Sequence, residues 1–273
     1  MIKYTYLSIV LLLGMTRLSA QDNCYAFYLA GDTCRYQACD FLEKAPSYFQ
    51  LTREYHLIKD QALAICPEYS DIYRAKSTAY LKTGDFIQWK KLIDKAVELN
   101  PIEHLGYRAW CRFQFFRDYQ GTIDDLEALN DLIDYNPGPC QNGFYNLNIA
   151  MALCYKMLGQ KQKAIQIIEA HLADETQYTG VYDNLHLGVL YFEIGDLAAA
   201  LKTFEAQEAS GNLAENQYHK ARVLGKLGQK EAQKEALEQA LSLYQNDICM
   251  FDPYGHQVDK IFLSDIEAAL NEL

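Results

Sequence analysis

The chain has 273 residues, half of them hydrophobic, and carries 25 Lys and Arg against 36 Asp and Glu for a formal net charge of −11. Such a surface repels phosphate backbones, which excludes nucleic acid from the expected partners. The length allows a large buried core, as one extended domain or two compact ones.

The first residues, MIKYTYLSIVLLLGMTRLSAQ, place Lys3 before an apolar run from Tyr6 to Met15 and end on Ser19 and Ala20. That order is the pattern of a secretory signal peptide over residues 1–20, with cleavage expected after Ala20. The run is about half the ~20 residues that a membrane-spanning helix needs, so no transmembrane anchor is expected after cleavage. A lipid anchor would need a cysteine at the cleavage point, whereas Cys24 follows Gln-Asp-Asn. The expected product is therefore exported, periplasmic or secreted. Losing Lys3 and Arg17 leaves 23 basic against 36 acidic residues, a net of −13.

All eight cysteines follow residue 20, an even number in a chain expected to enter a compartment that permits disulfides. Cys24, Cys34 and Cys39 cluster within CYAFYLAGDTCRYQAC, where a bridge is expected, although spacing does not fix the pairing. Cys111 and Cys154 stand inside helical patterns and read as buried thiols. No CxxC pair or matching histidine spacing favours zinc. Residues 21–69 form the N-terminal cysteine-containing segment with a capping helix or half-repeat. Its helix is expected over SYFQLTREYHLIKDQALAICP, ending at Pro67, with Phe49, Tyr55, Ile58, Ala62 and Ile65 at helical spacing.

Residues 70–245 repeat. Corners occur at Gly84, Arg117, Gly159, Gly195 and Gly228, separated by 33, 42, 36 and 33 residues. Glycine suits a helix end, where positive φ is needed and a Cβ is poorly tolerated. Four residues before each corner stands Tyr80, Phe113, Tyr155, Tyr191 or Leu224; nine after it stands Ile93, Leu126, Ile168, Phe204 or Leu237. Each helical hairpin thus carries an apolar face on both helices that only a stacked neighbour can bury. Small residues recur seven before the corner (Ser77, Ala152, Gly188, Ala221) and five after it (Ala164, Ala200), where helices approach closely. Pro101 ends the first unit's second helix.

The extra length between the second and third corners is assigned to a longer helix reaching Tyr135 and a linker, NPGPCQNG at 136–143, with Cys140 as a candidate tether. Residues 246–273 read as a proline turn and a C-terminal capping helix with Val258, Ile261, Phe262, Ile266, Ala269 and Leu270 on one side.

The spacing, the small residue, the tyrosine, the Gly-Asp corner and the Asn-Pro after Leu99 together resemble the tetratricopeptide repeat, over five units. Trp89, Thr122, Gln233 and Trp110 depart from it at positions where a small residue is expected. The resemblance implies an all-α fold, a right-handed superhelical solenoid of helix hairpins. Combined with the export signal, it is similar to exported tetratricopeptide proteins of Gram-negative bacteria. It also implies that a peptide or protein segment is bound along the concave face.

Motifs for a hydrolase elbow, HExxH zinc, phosphate loops and dinucleotides are absent, and neither a catalytic residue nor a cofactor is assigned. Asp252, His256 and Asp259 form the one polar cluster that could hold a metal or small ligand at the C-terminal cap. Capping of the last helix by Asp252 and a His–Asp pair on a shared helix face explain it without one. His171, His186 and His219 read as separate packing or surface histidines. On the inner stripe of the first helices stand Arg74, Thr78, Lys82, Tyr107, Asn146, Lys156, Tyr182, Glu193, Tyr218 and Arg222, rich in residue types that anchor interfaces. The expected function is a non-enzymatic scaffold for a protein or peptide of the cell envelope. The alternatives are a metal or ligand site at the cap and a redox-responsive cysteine module.

Overall fold

The computed structural model describes residues 23–253 and 255–273; the expected signal peptide and its cleavage point lie outside the described residues. Among the described residues the chain is all-α, with one isolated bridge between Pro139 and Asn146 and no extended sheet. Contacts divide it into two compact units, with the division between Leu92 and Ile93.

The first unit contains α1 (Cys24–Leu29), α2 (Thr33–Lys44), α3 (Arg53–Ile65), α4 (Ser70–Thr83) and the start of α5 (Phe86–Leu99). Its core is small: Ala38, Ala62, Tyr69 and Ile72 pack around the bonded pair Cys24–Cys39. A second disulfide joins Cys34 to Cys66 at the end of α3. Cross-links of this kind restrict the unfolded chain and support a core that is short of apolar area. The helix expected from Ser47 starts only at Arg53. Thr52 is extended (φ −91°, ψ 155°) and its side chain accepts the Tyr55 N–H, so it caps α3 and leaves Phe49 outside, 72% exposed.

The second unit continues with α6 (Pro101–Cys111), a π-helical turn (Arg112–Phe116), α7 (Tyr119–Leu132), α8 (Leu147–Met157), α9 (Lys161–Ala173), α10 (Asp183–Ile194), α11 (Leu197–Ser210), α12 (Ala214–Lys226), α13 (Lys230–Gln245) and α14 (Leu263–Asn271). The pairs α6/α7, α8/α9, α10/α11 and α12/α13 are successive hairpins, as α4/α5 is at the division. Gly84, Gly159, Gly195 and Gly228 turn their corners with φ between 73° and 87°. Arg117 takes the same left-handed conformation at φ 51° without being glycine. It closes the hairpin that has Trp110 in place of a small residue and whose first helix ends in the π turn. Pro101 does more than end α5: it is the first residue of α6, whose Asn100 cap accepts the Glu103 N–H.

Nine residues after the corners, Ile93, Leu126, Ile168, Phe204 and Leu237 are each at most 1% exposed. Burying each stabilises the fold by about 1.5–3 kcal/mol. Gly188 lies against Phe204, and a Cβ there would stand 2.6 Å from the ring.

Two expected boundaries move. Helix α7 ends at Leu132, because Ile133 is already extended, and does not reach Tyr135. The linker folds on itself: Cys140 N–H donates to the Tyr145 carbonyl at 2.8 Å and Leu147 N–H to that of Gly138 at 2.9 Å. Cys140 is a free buried thiol 2.9 Å from Asn142 Oδ1, so it orders this loop without a covalent tether. The last helix begins at Leu263, and Asp265, not Asp252, accepts the Phe262 N–H at its start. His256 and Asp259 consequently share no helix face. Ala269 and Leu270 of α14 pack on Ala221, Leu224, Ala236 and Leu237, closing the end of the stack.

Candidate functional site

The described residues between α13 and α14, 248–253 and 255–262, form a finger laid across the first helices of the second unit. It leaves beside α12, where Ala214 N–H donates to the Ile248 carbonyl (3.0 Å) and Met250 N–H donates to Glu215 Oε2 (2.9 Å). It then reaches the π turn and the 133–146 loop. There Asp252 Oδ2 accepts from Gln114 Nε2 at 2.9 Å and Asn142 Nδ2 at 3.3 Å. Arg117 Nη2 donates to the His256 carbonyl at 3.1 Å, and Gln257 Nε2 donates to the Tyr145 hydroxyl at 3.4 Å. The finger returns to α8, α10 and α12 at Asp259, itself at φ 65°.

Asp259 is the centre of the arrangement. Its Oδ1 pairs with Lys156 Nζ of α8, its Oδ2 lies 2.7 Å from His186 Nδ1 of α10, and its carbonyl lies 3.0 Å from His219 Nε2 of α12. Lys156, His186, His219 and the Asp259 side chain are each at most 8% exposed. Burial opposes ionisation of Asp259, but Lys156 and His186 outweigh it and hold the carboxyl below the usual range. His219 is pushed down to about 4 by burial. Its neutral tautomer is fixed by its neighbours, since Nε2–H donates to the Asp259 carbonyl and Nδ1 accepts from Arg222 Nη1 at 3.1 Å. Burial also pushes the Glu215 carboxyl up.

The expected stripe residues divide between these settings. In the first unit, Thr78 Oγ1 donates to the Arg74 carbonyl and Lys82 Nζ reaches Gln50 Oε1 at 2.8 Å, with Lys82 exposed. In the second unit, Tyr107 is buried beside Trp110, their rings 5.9 Å apart. Asn146 caps α8, accepting the Asn148 N–H. Tyr182 is buried at the start of α10, its ring 6.2 Å from that of Tyr145. Glu193 pairs with Lys156 at 3.2 Å and Lys161 at 3.0 Å. Tyr218 packs between α13 and α14, and Arg222 lies over the Phe192 ring at 4.5 Å.

The structure thus brings Lys156, Tyr182, Glu193, Tyr218 and Arg222 to the finger or its receptors. It adds Gln114, Arg117, Asn142, Tyr145, His186, Glu215 and His219, which the stripe omits. His186 and His219 do share a spacing: each stands nine residues before its corner glycine, Gly195 or Gly228. Asp252, His256 and Asp259 are held by different elements and do not gather. Among the described residues, the only metal-compatible group is Cys24, Cys39 and Glu43, whose two cysteines are bonded to each other.

Helix hairpins with glycine corners, stacked through these positions, define the class as an all-α solenoid with tetratricopeptide repeats. The tetratricopeptide repeat profile matches residues 70–103 and 214–247, the α4/α5 and α12/α13 hairpins with their flanks. Solved structures share the fold at low identity. PilW, a type IV pilus biogenesis factor, is 15% identical with a TM-score of 0.55 over 81% of this chain and 90% of its own. PilF of Pseudomonas aeruginosa is 12% identical with a TM-score of 0.57 over 92% and 99%. YrrB, a tetratricopeptide protein with an unusual peptide-binding site, is 18% identical with a TM-score of 0.53 over 69% and 93%. No curated protein matches the chain by sequence.

Proposed function

We propose that the protein is an exported, non-enzymatic scaffold that holds a segment of another cell-envelope protein on the face of its first helices. The observation that carries this reading is the finger itself. A non-helical stretch of polypeptide lies across that face and is gripped by side chains from every hairpin of the second unit. Arg117 and His219 take main-chain carbonyls, and Glu215 takes a main-chain N–H. Contacts of this kind hold a polypeptide with little regard to its sequence, as peptide-binding surfaces do. The peptide-binding site named for YrrB and the pilus role named for PilW support the same class of function. Export is supported by the signal-like residues 1–20 and by two disulfides, which persist in oxidising compartments.

In this reading Arg74, Thr78 and Lys82 are the candidate binding residues of the first unit. Tyr107, Asn146, Tyr182, Glu193, Tyr218 and Arg222 shape it in the second, and Lys156 is its anion receptor. The test is cross-linked capture from the cell envelope with residues 21–273, beside the same chain carrying Arg74→Ala, Lys82→Ala and Arg222→Ala. Loss of a partner from the triple variant, at unchanged helical content, supports the face. An identical set of partners on both chains overturns it.

A further inference from the structure

We propose that Cys24, Cys39 and Glu43 form a redox-gated site for a thiophilic divalent metal such as zinc, closed while the two cysteines are bonded and opened when a dithiol reduces them. The site is separate from the interaction role proposed for the repeats, since all three residues lie in α1 and α2.

Cys39 and Glu43 stand four residues apart on α2, one turn along the same face. Cys24 opens α1, and the disulfide holds its Cα 5.5 Å from that of Cys39. Both sulfurs and a Glu43 carboxylate oxygen consequently lie within 4.8 Å of one another, and no other such group of three occurs among the described residues. Zinc takes sulfur at about 2.3 Å and carboxylate oxygen at about 2.0–2.2 Å, so the ligand atoms of a tetrahedral ion stand roughly 3.5–3.8 Å apart. The three atoms are within reach of that arrangement once the sulfurs part. A cavity of about 340 Å³ adjoins them, lined by Cys39 and Glu43 with Leu42, Tyr48, Tyr55 and Lys59. It gives a reductant a path to the Cys39 sulfur and leaves a fourth coordination position facing water, as in open zinc sites. Two thiolates and a carboxylate around a divalent ion carry one excess negative charge, and Lys59 lines the same space to offset it. Sulfur ligands favour zinc over magnesium or calcium.

The reductive step balances with a dithiol. Its thiolate attacks the Cys39 sulfur and forms a mixed disulfide, while the Cys24–Cys39 bond breaks and its electron pair leaves on Cys24. The second thiol of the reductant then closes on the first, releases the Cys39 thiolate and departs as a disulfide. Two electrons have passed to the cysteine pair, and the two protons of the dithiol go to solvent as the metal takes both thiolates. Metal and disulfide therefore exclude each other. The bond removes the charges that bind the ion, and the ion holds the sulfurs apart. Either one ties α1 to α2 across a core that is short of apolar area.

The experiment uses the full chain, reduced with a phosphine and titrated with cobalt(II), then with zinc. The expected result is one cobalt per reduced chain with thiolate-to-metal ultraviolet absorption, none in the unreduced chain, and displacement by zinc but not by magnesium. Glu43→Gln, which loses one of the three ligands, should bind about ten-fold more weakly or worse. Cys34→Ser with Cys66→Ser removes the other bridge and should keep the same absorption. Where reduction unfolds the first unit, zinc should restore hydrogen-exchange protection to residues 23–92. Failure of zinc to restore it, or absence of cobalt binding to a reduced chain that stays folded, overturns the proposal. Equal affinity in Glu43→Gln also overturns it. So does absorption that survives Cys24→Ser with Cys39→Ser, because the ion would then sit on other thiols.

Discussion

His186 Nδ1 lies 2.7 Å from Asp259 Oδ2, joining α10 to a finger that begins more than fifty residues later in the chain. The same carboxylate neutralises Lys156, and both partners are nearly closed to solvent. Removing the negative charge therefore leaves a buried ammonium whose remaining acid, Glu193, is shared. Breaking one side of a buried pair typically costs about 3–5 kcal/mol. Asp259→Asn is expected to fall near the lower bound, because Glu193 partly compensates. Replacing both partners, Lys156→Met with Asp259→Leu, should cost less than the single change. Urea unfolding of the three chains measures this; a double variant weaker than Asp259→Asn would show that the pair is not the stabilising unit.

The hairpins were legible because their geometry repeats: glycine at the corner, an apolar residue four before and another nine after. The finger follows no repeat and carries Pro253 and Gly255, so periodicity could not place it. Burial alternates only over Met250, Phe251 and Asp252, and the second arm turns at Asp259, so neither arm carries a hydropathy period. His186 and His219 are detectable by register, since they occupy one repeat position, but the expected stripe runs through neighbouring positions. The partner of Cys34 is Cys66, beyond α3, and no spacing rule connects them.

Acid should loosen this centre through His219. Buried, with Arg222 donating to its Nδ1 and Lys156 nearby, the ring is pushed to about 4 in the fold, against about 6.5 in the unfolded chain. Between those values the unfolded chain binds a proton that the folded chain excludes, so stability falls as pH falls across that window. The loss is on the order of 3 kcal/mol at its acid end. Above it both states are neutral at this residue, and the term vanishes. His171 acts oppositely: Asp183 raises it, so its contribution is present at acid pH and is lost as pH rises through its folded value. Urea midpoints at pH 7.5 and 5 should therefore converge in His219→Gln relative to the unaltered chain. An unchanged pH difference would assign the acid sensitivity elsewhere.

The cysteines make a separate prediction. Cys24–Cys39 and Cys34–Cys66 are bonded, and Cys111, Cys140, Cys154 and Cys249 are free. Denatured without reductant, the chain should yield four reactive thiols. In the native state Cys249, which is partly exposed, should react first. Cys154 should react last, because burial pushes its thiol up to about 12 and leaves almost no thiolate at neutral pH. Reduction should destabilise the first unit by about 3 kcal/mol or more, since even the shorter loop closes 15 residues. Thiol titration over time and hydrogen exchange of residues 23–92 provide the readouts. Protection lost equally from both units would contradict the assignment of the bridges to one of them.

Gly188→Ala tests how tightly the stack is drawn. The added Cβ would stand 2.6 Å from Phe204 Cε1 and 2.7 Å from Cδ1, inside any normal contact, and Phe204 is fully buried. Alanine gains about 1 kcal/mol over glycine in helix propensity, while overpacking costs about 1–3 kcal/mol. The ring cannot move freely, because it stacks on His219 at 6.3 Å and so transmits displacement to the residue holding the Asp259 carbonyl. Net destabilisation with faster trypsin cleavage at Lys260 is therefore expected. Phe204→Leu, which shortens the side chain, should be less damaging in the Gly188→Ala background than alone. A double-mutant cycle with no coupling between the two positions would mean that the helices separate without disturbing the finger.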